Sequence, residues 1–266
     1  MGRHGTIAGR KDAQDKRRAA AFTKVARLIT VAARAGADPE YNISLKHAIE
    51  KAKSINMPND NISRAVKKGS GELGGETYEN SSFEGYGAGG VAVIVEVLTD
   101  NRNRTTSTVK HAFDRNSGNL GVPGCVSYMF ERKGVIIIEK TKSVDEDVLM
   151  ETALEAGMDD MITYDDSFEI LTSTESFNSV AEALRKAGFI LLESDIEYVP
   201  SIEVTPSEED LASLKKMIDI LEDDDDVQKV YHNCAVSLDD WFLLIKKVGC
   251  KKLFFKQPFL LLSKYS

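Results

Sequence analysis

The side chains in this chain best suited to chemistry are cations placed to hold phosphate. Arg3, His4, Arg10, Lys11, Lys16, Arg17, Arg18, Lys24, Arg27 and Arg34 all fall within its first 36 residues. Such groups neutralise phosphate oxygens and release counterions, an interaction that depends strongly on salt and reads little base sequence. At 3.6 residues per turn, Phe22, Val25, Ile29, Ala32 and Ala33 share one stripe of a helix. Arg17, Lys24, Arg27 and Arg34 share a stripe roughly opposite. One face can pack on protein and the other can meet a polyanion. An ordinary solvated face is the plain alternative for the same pattern.

Three further groups invite a chemical reading. Asn101–Thr105, with Arg102 and Arg104, stands between a strand and a helix, where free N–H groups and the dipole favour anions. Capping by Asp100 or Asn101, with the arginines pairing acids, explains it as well. Lys67 and Lys68 join the candidate phosphate contacts, although they also suit the negative end of the helix they close. Gly85, Tyr86, Gly87, Gly89 and Gly90 form a glycine loop that satisfies GxGxxG. A nucleotide fingerprint needs a strand before the glycines and a helix after them. Here a strand follows and a linker precedes, so the loop reads as a close approach to a partner's backbone or as a simple turn. The four histidines have no metal-type spacing, and no nucleophile signature is present, so we expect no catalytic residue, metal or cofactor. An enzyme built on the glycine loop with Asp100, Asn101 and Arg102 would need a small-molecule ligand, and none is expected.

The elements that must position these groups follow from periodicity and punctuation. After the first helix, Gly36 is a stop. Leu45, Ala48, Ile49 and Ala52 mark a second helix, and Pro58 opens a third with Ile62, Ala65 and Val66 inward. Ser70–Glu76 reads as a linker. Val91–Thr99 is a strand, Asn101–Gly118 a helix and Cys125–Glu131 a strand. Gly134–Glu139, Glu146–Ala156, two strands around the Asp165–Ser167 turn, Glu175–Ala187 and Phe189–Val199 follow in the order βαββαβ, the ferredoxin-like pattern. In its first helix Val148, Leu149, Ala153 and Leu154 are expected to face inward. Ile202–Val204 is a short strand. Thr205–Glu208 is a capping box with proline at the first helical position, and Val227–Asn233 is the last strand.

Charge is unevenly spread over the 266 residues. Residues 1–70 carry 15 Lys+Arg and 6 Asp+Glu, net +9, whereas residues 71–236 carry 13 and 34, net −21. A basic head on an acidic body suits a polyanion held by the head and repelled by the body. The acids at Asp223–Asp226 read as a solvated helix end or a screen against nucleic acid. No run of about 18 apolar residues is present, which argues against a membrane span. Three cysteines without a CxxC pair fit a reducing cytosol.

These stretches resemble the YebC family, which includes the mitochondrial translational activator of cytochrome c oxidase. The resemblance rests on GRKDAQDKRRAAAFTKVARLITVAAR, DPEYNISLKHAIEKAKSINMPNDNISRAVKKG, FEGYGAGGVAVIVEVLTDNRNRT and DDVQKVYHN, which span roughly residues 1–236. It implies an α+β multidomain protein with an N-terminal helical bundle, an α/β domain, and a ferredoxin-like domain inserted into the second. The corresponding ranges are 1–76, 77–132 with 201–236, and 133–200. Residues 237–266 match nothing in the family. Ala88 replaces the proline usual in the glycine loop, which should loosen it slightly.

Family members are described as DNA-binding transcriptional regulators or as ribosome-associated factors that relieve stalling at proline-rich sequences. The resemblance therefore implies a non-enzymatic regulator whose partner is nucleic acid, ribosomal RNA or DNA, with the ribosome favoured. It also implies a cytoplasmic protein. A bacterial cytoplasm is expected over an organelle, because the family motif starts close to Met1 with no transit peptide before it.

Overall fold

The computed structural model describes residues 7–72, 78–141, 143–236 and 238, with side chains from Ala19 onward. The head is built from α1 (Ile7–Ala32), α2 (Ile43–Ser54) and α3 (Asn59–Gly69). Val25, Ile29 and Ala33 pack against Leu45, Ala48, Ala52, Ile62 and Ala65, so the apolar stripe of α1 is its core face. Asn42 fixes the corner between α1 and α2. Its Oδ1 accepts from Leu45 N as the N-cap, while its Nδ2 donates to the carbonyls of Ala32 and Gly36.

The first sheet follows, in the order β3-β1-β2-β8, all antiparallel. Its strands are β1 (Glu79–Tyr86), β2 (Ala92–Thr99), β3 (Asn119–Leu120) and β8 (Val227–His232). Two helices, α4 (Arg102–Arg115) and α7 (Glu208–Glu222), cover one face. There Val93, Val95 and Val97 meet Val109, Phe113, Leu214 and Met217. On the other face Ala92 and Ile94 meet Val126, Phe130 and Tyr231. A strand buried on both sides reads as a nearly continuous apolar run, and β2, interrupted by Glu96 alone before Thr99, stands out in the sequence for that reason.

The second sheet has the order β5-β6-β4-β7. It comprises β4 (Phe130–Glu139), β5 (Met158–Thr163), β6 (Ser167–Thr172) and β7 (Leu191–Pro200), with α5 (Glu146–Ala156) and α6 (Phe177–Lys186) on one face. Leu149, Ala153, Val180 and Leu184 pack there on Ile136, Ile138, Phe168 and Ile170.

Several expectations are revised. Residues 125–129 are loop and a short 3-10 turn, and β4 begins only at Phe130. That strand pairs Phe130 with Pro200 at one end and Ile138 with Leu191 near the other. Val148 and Leu154 face solvent, leaving Leu149 and Ala153 as the buried residues of α5. The N-cap of α7 is Ser207, which accepts from Asp210 N, so Pro206 lies ahead of the cap rather than inside the helix. Strand β1 precedes the glycines where a linker was expected. Cys125 and Cys234 are half-buried free thiols, and Cys250 lies outside the described residues. Of the stretch beyond residue 236, only Leu238 is described, packed at the edge of the α4–α7 core.

Candidate nucleic-acid interface

The basic stripe of α1 turns inward at its C-terminal half. Lys24 Nζ donates to the Glu222 carbonyl at 2.5 Å, at the C-terminal end of α7. Burial holds the Lys24 ammonium below its ordinary pKa, against the pull of Glu222 and the aspartates at 223–225. One turn on, Arg27 Nη1 donates to Asp226 Oδ1 at 2.6 Å and to the carbonyls of Asp225 and Leu98 at 2.7 and 3.2 Å. Asp226 is 3% exposed. Its carboxylate also accepts from Arg104 Nη2 at 2.8 Å, Thr105 Oγ1 at 2.7 Å and Thr99 Oγ1 at 3.1 Å. One buried carboxylate thus joins the head (α1) to both the strand–helix turn after β2 and the entry to β8.

Arg104 also bonds Asp100 at 2.7 Å, and both acids raise its pKa. Arg34 Nη1 donates to the Tyr78 carbonyl at 3.0 Å. The Tyr78 ring has Arg27 and Lys68 over it at 5.5 and 5.6 Å, a cation–π arrangement. Lys24, Arg27, Arg34, Lys68 and Arg104, expected as phosphate contacts, thus each have partners within the chain. Asn101 caps α4 through Arg104 N, as the plainer of its two expected readings required. Lys67 and Arg102 are exposed, and Arg102 stands at the N-terminus of α4 with no acid on it among the described residues. Arg10, Lys11, Lys16, Arg17 and Arg18 lie on the backbone of α1, but their side chains fall outside the described residues, as do Arg3 and His4 entirely.

The glycine loop packs on its own protein. It closes the β1–β2 hairpin, with Gly87 N donating to Val91 O at 2.7 Å. Gly89 has φ +69°, and a Cβ there would come within 2.6 Å of Pro206 Cβ, just ahead of α7; at Gly87 it would come within 2.7 Å of Leu214 Cδ1. Ala88 is buried and Tyr86 donates to the Cys125 carbonyl at 3.3 Å. At Gly87 and Gly89 the loop approaches α7 and the Pro206 ahead of it, whereas Gly90 faces open space. Gly89→Ala should cost about 1–3 kcal/mol, measurable by urea unfolding, with nucleic-acid binding unchanged in the folded protein.

Buried Glu84, unremarked in the sequence, organises the loop opposite. Its carboxylate accepts from the N–H groups of Gly124, Val126 and Ser127 at 2.9, 3.1 and 3.0 Å. Glu84→Ala leaves these donors unpaired and should lower the unfolding free energy by about 2–3 kcal/mol in the same assay. Among the described residues no group of His, Cys, Asp or Glu is arranged to hold a metal.

Two family models match this chain. The N-terminal domain model of the TACO1/YebC proteins covers residues 3–72, and the model of their second and third domains covers residues 78–234. The chain belongs to the TACO1/YebC family. It is 53% identical over 238 residues to a probable transcriptional regulatory protein of Clostridioides difficile, covering 89% of this chain and all of that one. It is 51% identical to another from Anoxybacillus flavithermus, over 87% and 96% of the two chains. A crystal structure of a conserved hypothetical protein from Aquifex aeolicus superposes with a TM-score of 0.76 at 45% identity. That match covers 83% of this chain and 91% of the other. The second family model ends at residue 234.

Proposed function

We propose that this TACO1/YebC protein is a non-enzymatic, cytoplasmic, nucleic-acid-binding regulator of gene expression that acts on the ribosome and relieves stalling at proline-rich sequences. We read it as a helical head (1–76), a discontinuous α/β domain (77–132 and 201–236) and an inserted ferredoxin-like domain (133–200). The observation that carries the functional reading is the charge division, net +9 in residues 1–70 against net −21 in residues 71–236. Where the head meets the body, the Glu222 carbonyl holds Lys24 and the Asp226 carboxylate holds Arg27. Arg10, Lys11, Lys16, Arg17 and Arg18 precede that joint on the same helix, so the joint fixes the base of a cationic rod against the body. Phosphate is attracted to the rod and repelled by the acidic body.

The test is in vitro translation of a reporter with a polyproline run, with and without the protein. The stalled product should fall when the protein is added. No change in stalling at saturating protein would sink the ribosomal reading. The relatives' names, probable transcriptional regulatory proteins, favour transcription, and so a second reading, a DNA-binding regulator. It requires promoter duplex to be preferred over scrambled duplex by about a thousandfold or more, and equal affinity for the two would exclude it.

A further inference from the structure

The sheet β5-β6-β4-β7 carries its helices on one side only. Ile136, Ile138, Phe168 and Ile170 point to α5 and α6, so their neighbours point the other way. The register then sets Val135 and Ile137 of β4 beside Leu171 and Glu169 of β6. Asp160 and Ile162 of β5 extend the row on one side, and Glu193 and Asp195 of β7 on the other. Val135 and Leu171 form a buried floor, Ile137 is half-buried, and Ile162 is 37% exposed. Tyr164 stands at the edge, its hydroxyl on Glu169 at 2.9 Å. Lys51 of α2 reaches this face at Asp195, and toward Ile137 and Ile162 its aliphatic side chains are partly exposed.

Its rim is acidic. Residues 133–200 hold 16 Asp+Glu against 5 Lys+Arg. At one corner the rim already receives lysines from other parts of the molecule. Lys51 of α2 reaches Asp195 at 3.2 Å, and Lys229 of β8 reaches Asp195 at 2.8 Å and Glu197 at 2.6 Å. Across the rest of the face no cation pairs Asp160, Glu169 or Glu193 among the described residues. Aliphatic groups ringed by carboxylates that no described cation neutralises, continuous with a corner that docks lysines, are complementary to a chain alternating basic and aliphatic side chains. They repel phosphate. We propose that this open sheet face docks a cationic protein segment of that kind. The site stands apart from the nucleic-acid reading of the head and does not rest on it.

The full chain would be titrated with a short amidated peptide of alternating lysine and valine at physiological salt, by calorimetry and by hydrogen exchange. Saturable binding that protects 133–139 and 167–172 is expected. Reversing the rim with Asp160→Lys, Glu169→Lys and Glu193→Lys should weaken it at least about tenfold. The same charge change on the helix side, Asp147→Lys, Glu151→Lys and Glu155→Lys, should leave it within about twofold. Equal losses in the two triple variants would mean diffuse attraction and overturn the proposal. So would protection confined to other segments, no saturable binding, or self-association of the free chain that occludes the face. If the rim variant does not fold, the protection pattern of the parent protein decides.

Discussion

Asp226→Ala is expected to lower the unfolding free energy by about 3–5 kcal/mol. The substitution leaves the Arg27 guanidinium, 15% exposed, beside carbonyls with no counter-charge. It also strips the Thr99 and Thr105 hydroxyls and Arg104 of a shared acceptor. Urea denaturation followed by circular dichroism reads the loss, and limited proteolysis reads release of the head from the body. Burial alone would push the Asp226 carboxyl up, but the Arg104, Thr105 and Arg27 hydrogen bonds outweigh it and hold the pKa at about 2, below the ordinary 3.8. A carboxyl depressed on folding contributes fully above the unfolded value and loses that contribution as pH falls through the folded one. The stabilisation of about 2 kcal/mol should therefore be present at neutral pH and vanish between about pH 4 and pH 2. Asp226→Asn should flatten that part of the pH–stability curve. An unchanged acid limb in Asp226→Asn would contradict the assignment of this residue as the joint.

The second large effect concerns binding. Changing Arg10, Lys11, Lys16, Arg17 and Arg18 to Ala is expected to reduce the slope of log K against log salt for single-stranded RNA by about 3–4, from roughly 0.7 per lost phosphate contact. At physiological salt this amounts to a loss of at least about a hundredfold in affinity. Lys24→Ala should behave differently. Its ammonium caps the carbonyl end of α7 rather than standing free, so the slope should be retained while stability falls. Filter binding across a salt series, on both variants, separates the two halves of a helix that the sequence presents as one stripe. A slope lost equally in both would return Lys24 to the phosphate set.

Much of the fold is legible because local signals agree. Asn42, Asn101, Asp145 and Ser207 each cap the helix that follows, and apolar spacing marks the buried faces of α1, α2 and α7. Strand β1 is not legible, since Glu79–Tyr86 is polar, contains Gly85 and buries residues only near its end. The boundary expected at residue 132 has no local mark in the structure. One continuous strand serves the β4–β7 ribbon and the core around Phe130, so no break in pattern marks it.

The site is harder to read than the fold. Charge periodicity gives the stripe of α1 but not what faces it, because the carbonyl and carboxylate that meet Lys24 and Arg27 lie some 200 residues further on. Asp226 looks like the last of four equivalent aspartates. Its only distinction in sequence is that Val227, the first residue of β8, follows it directly, and there the chain turns into the core. Glu84 is likewise one acid among many until the N–H groups of a loop some 40 residues away converge on it.

The most direct test of the central reading is sucrose-gradient sedimentation of cell lysate, following the parent chain and the five-residue Ala variant at low and high salt. The parent should travel with ribosomes at low salt and return to the top of the gradient at high salt, while the variant stays at the top in both. A parent that remains at the top at low salt, or a variant that sediments as the parent does, would contradict the basic head as the contact with ribosomal RNA.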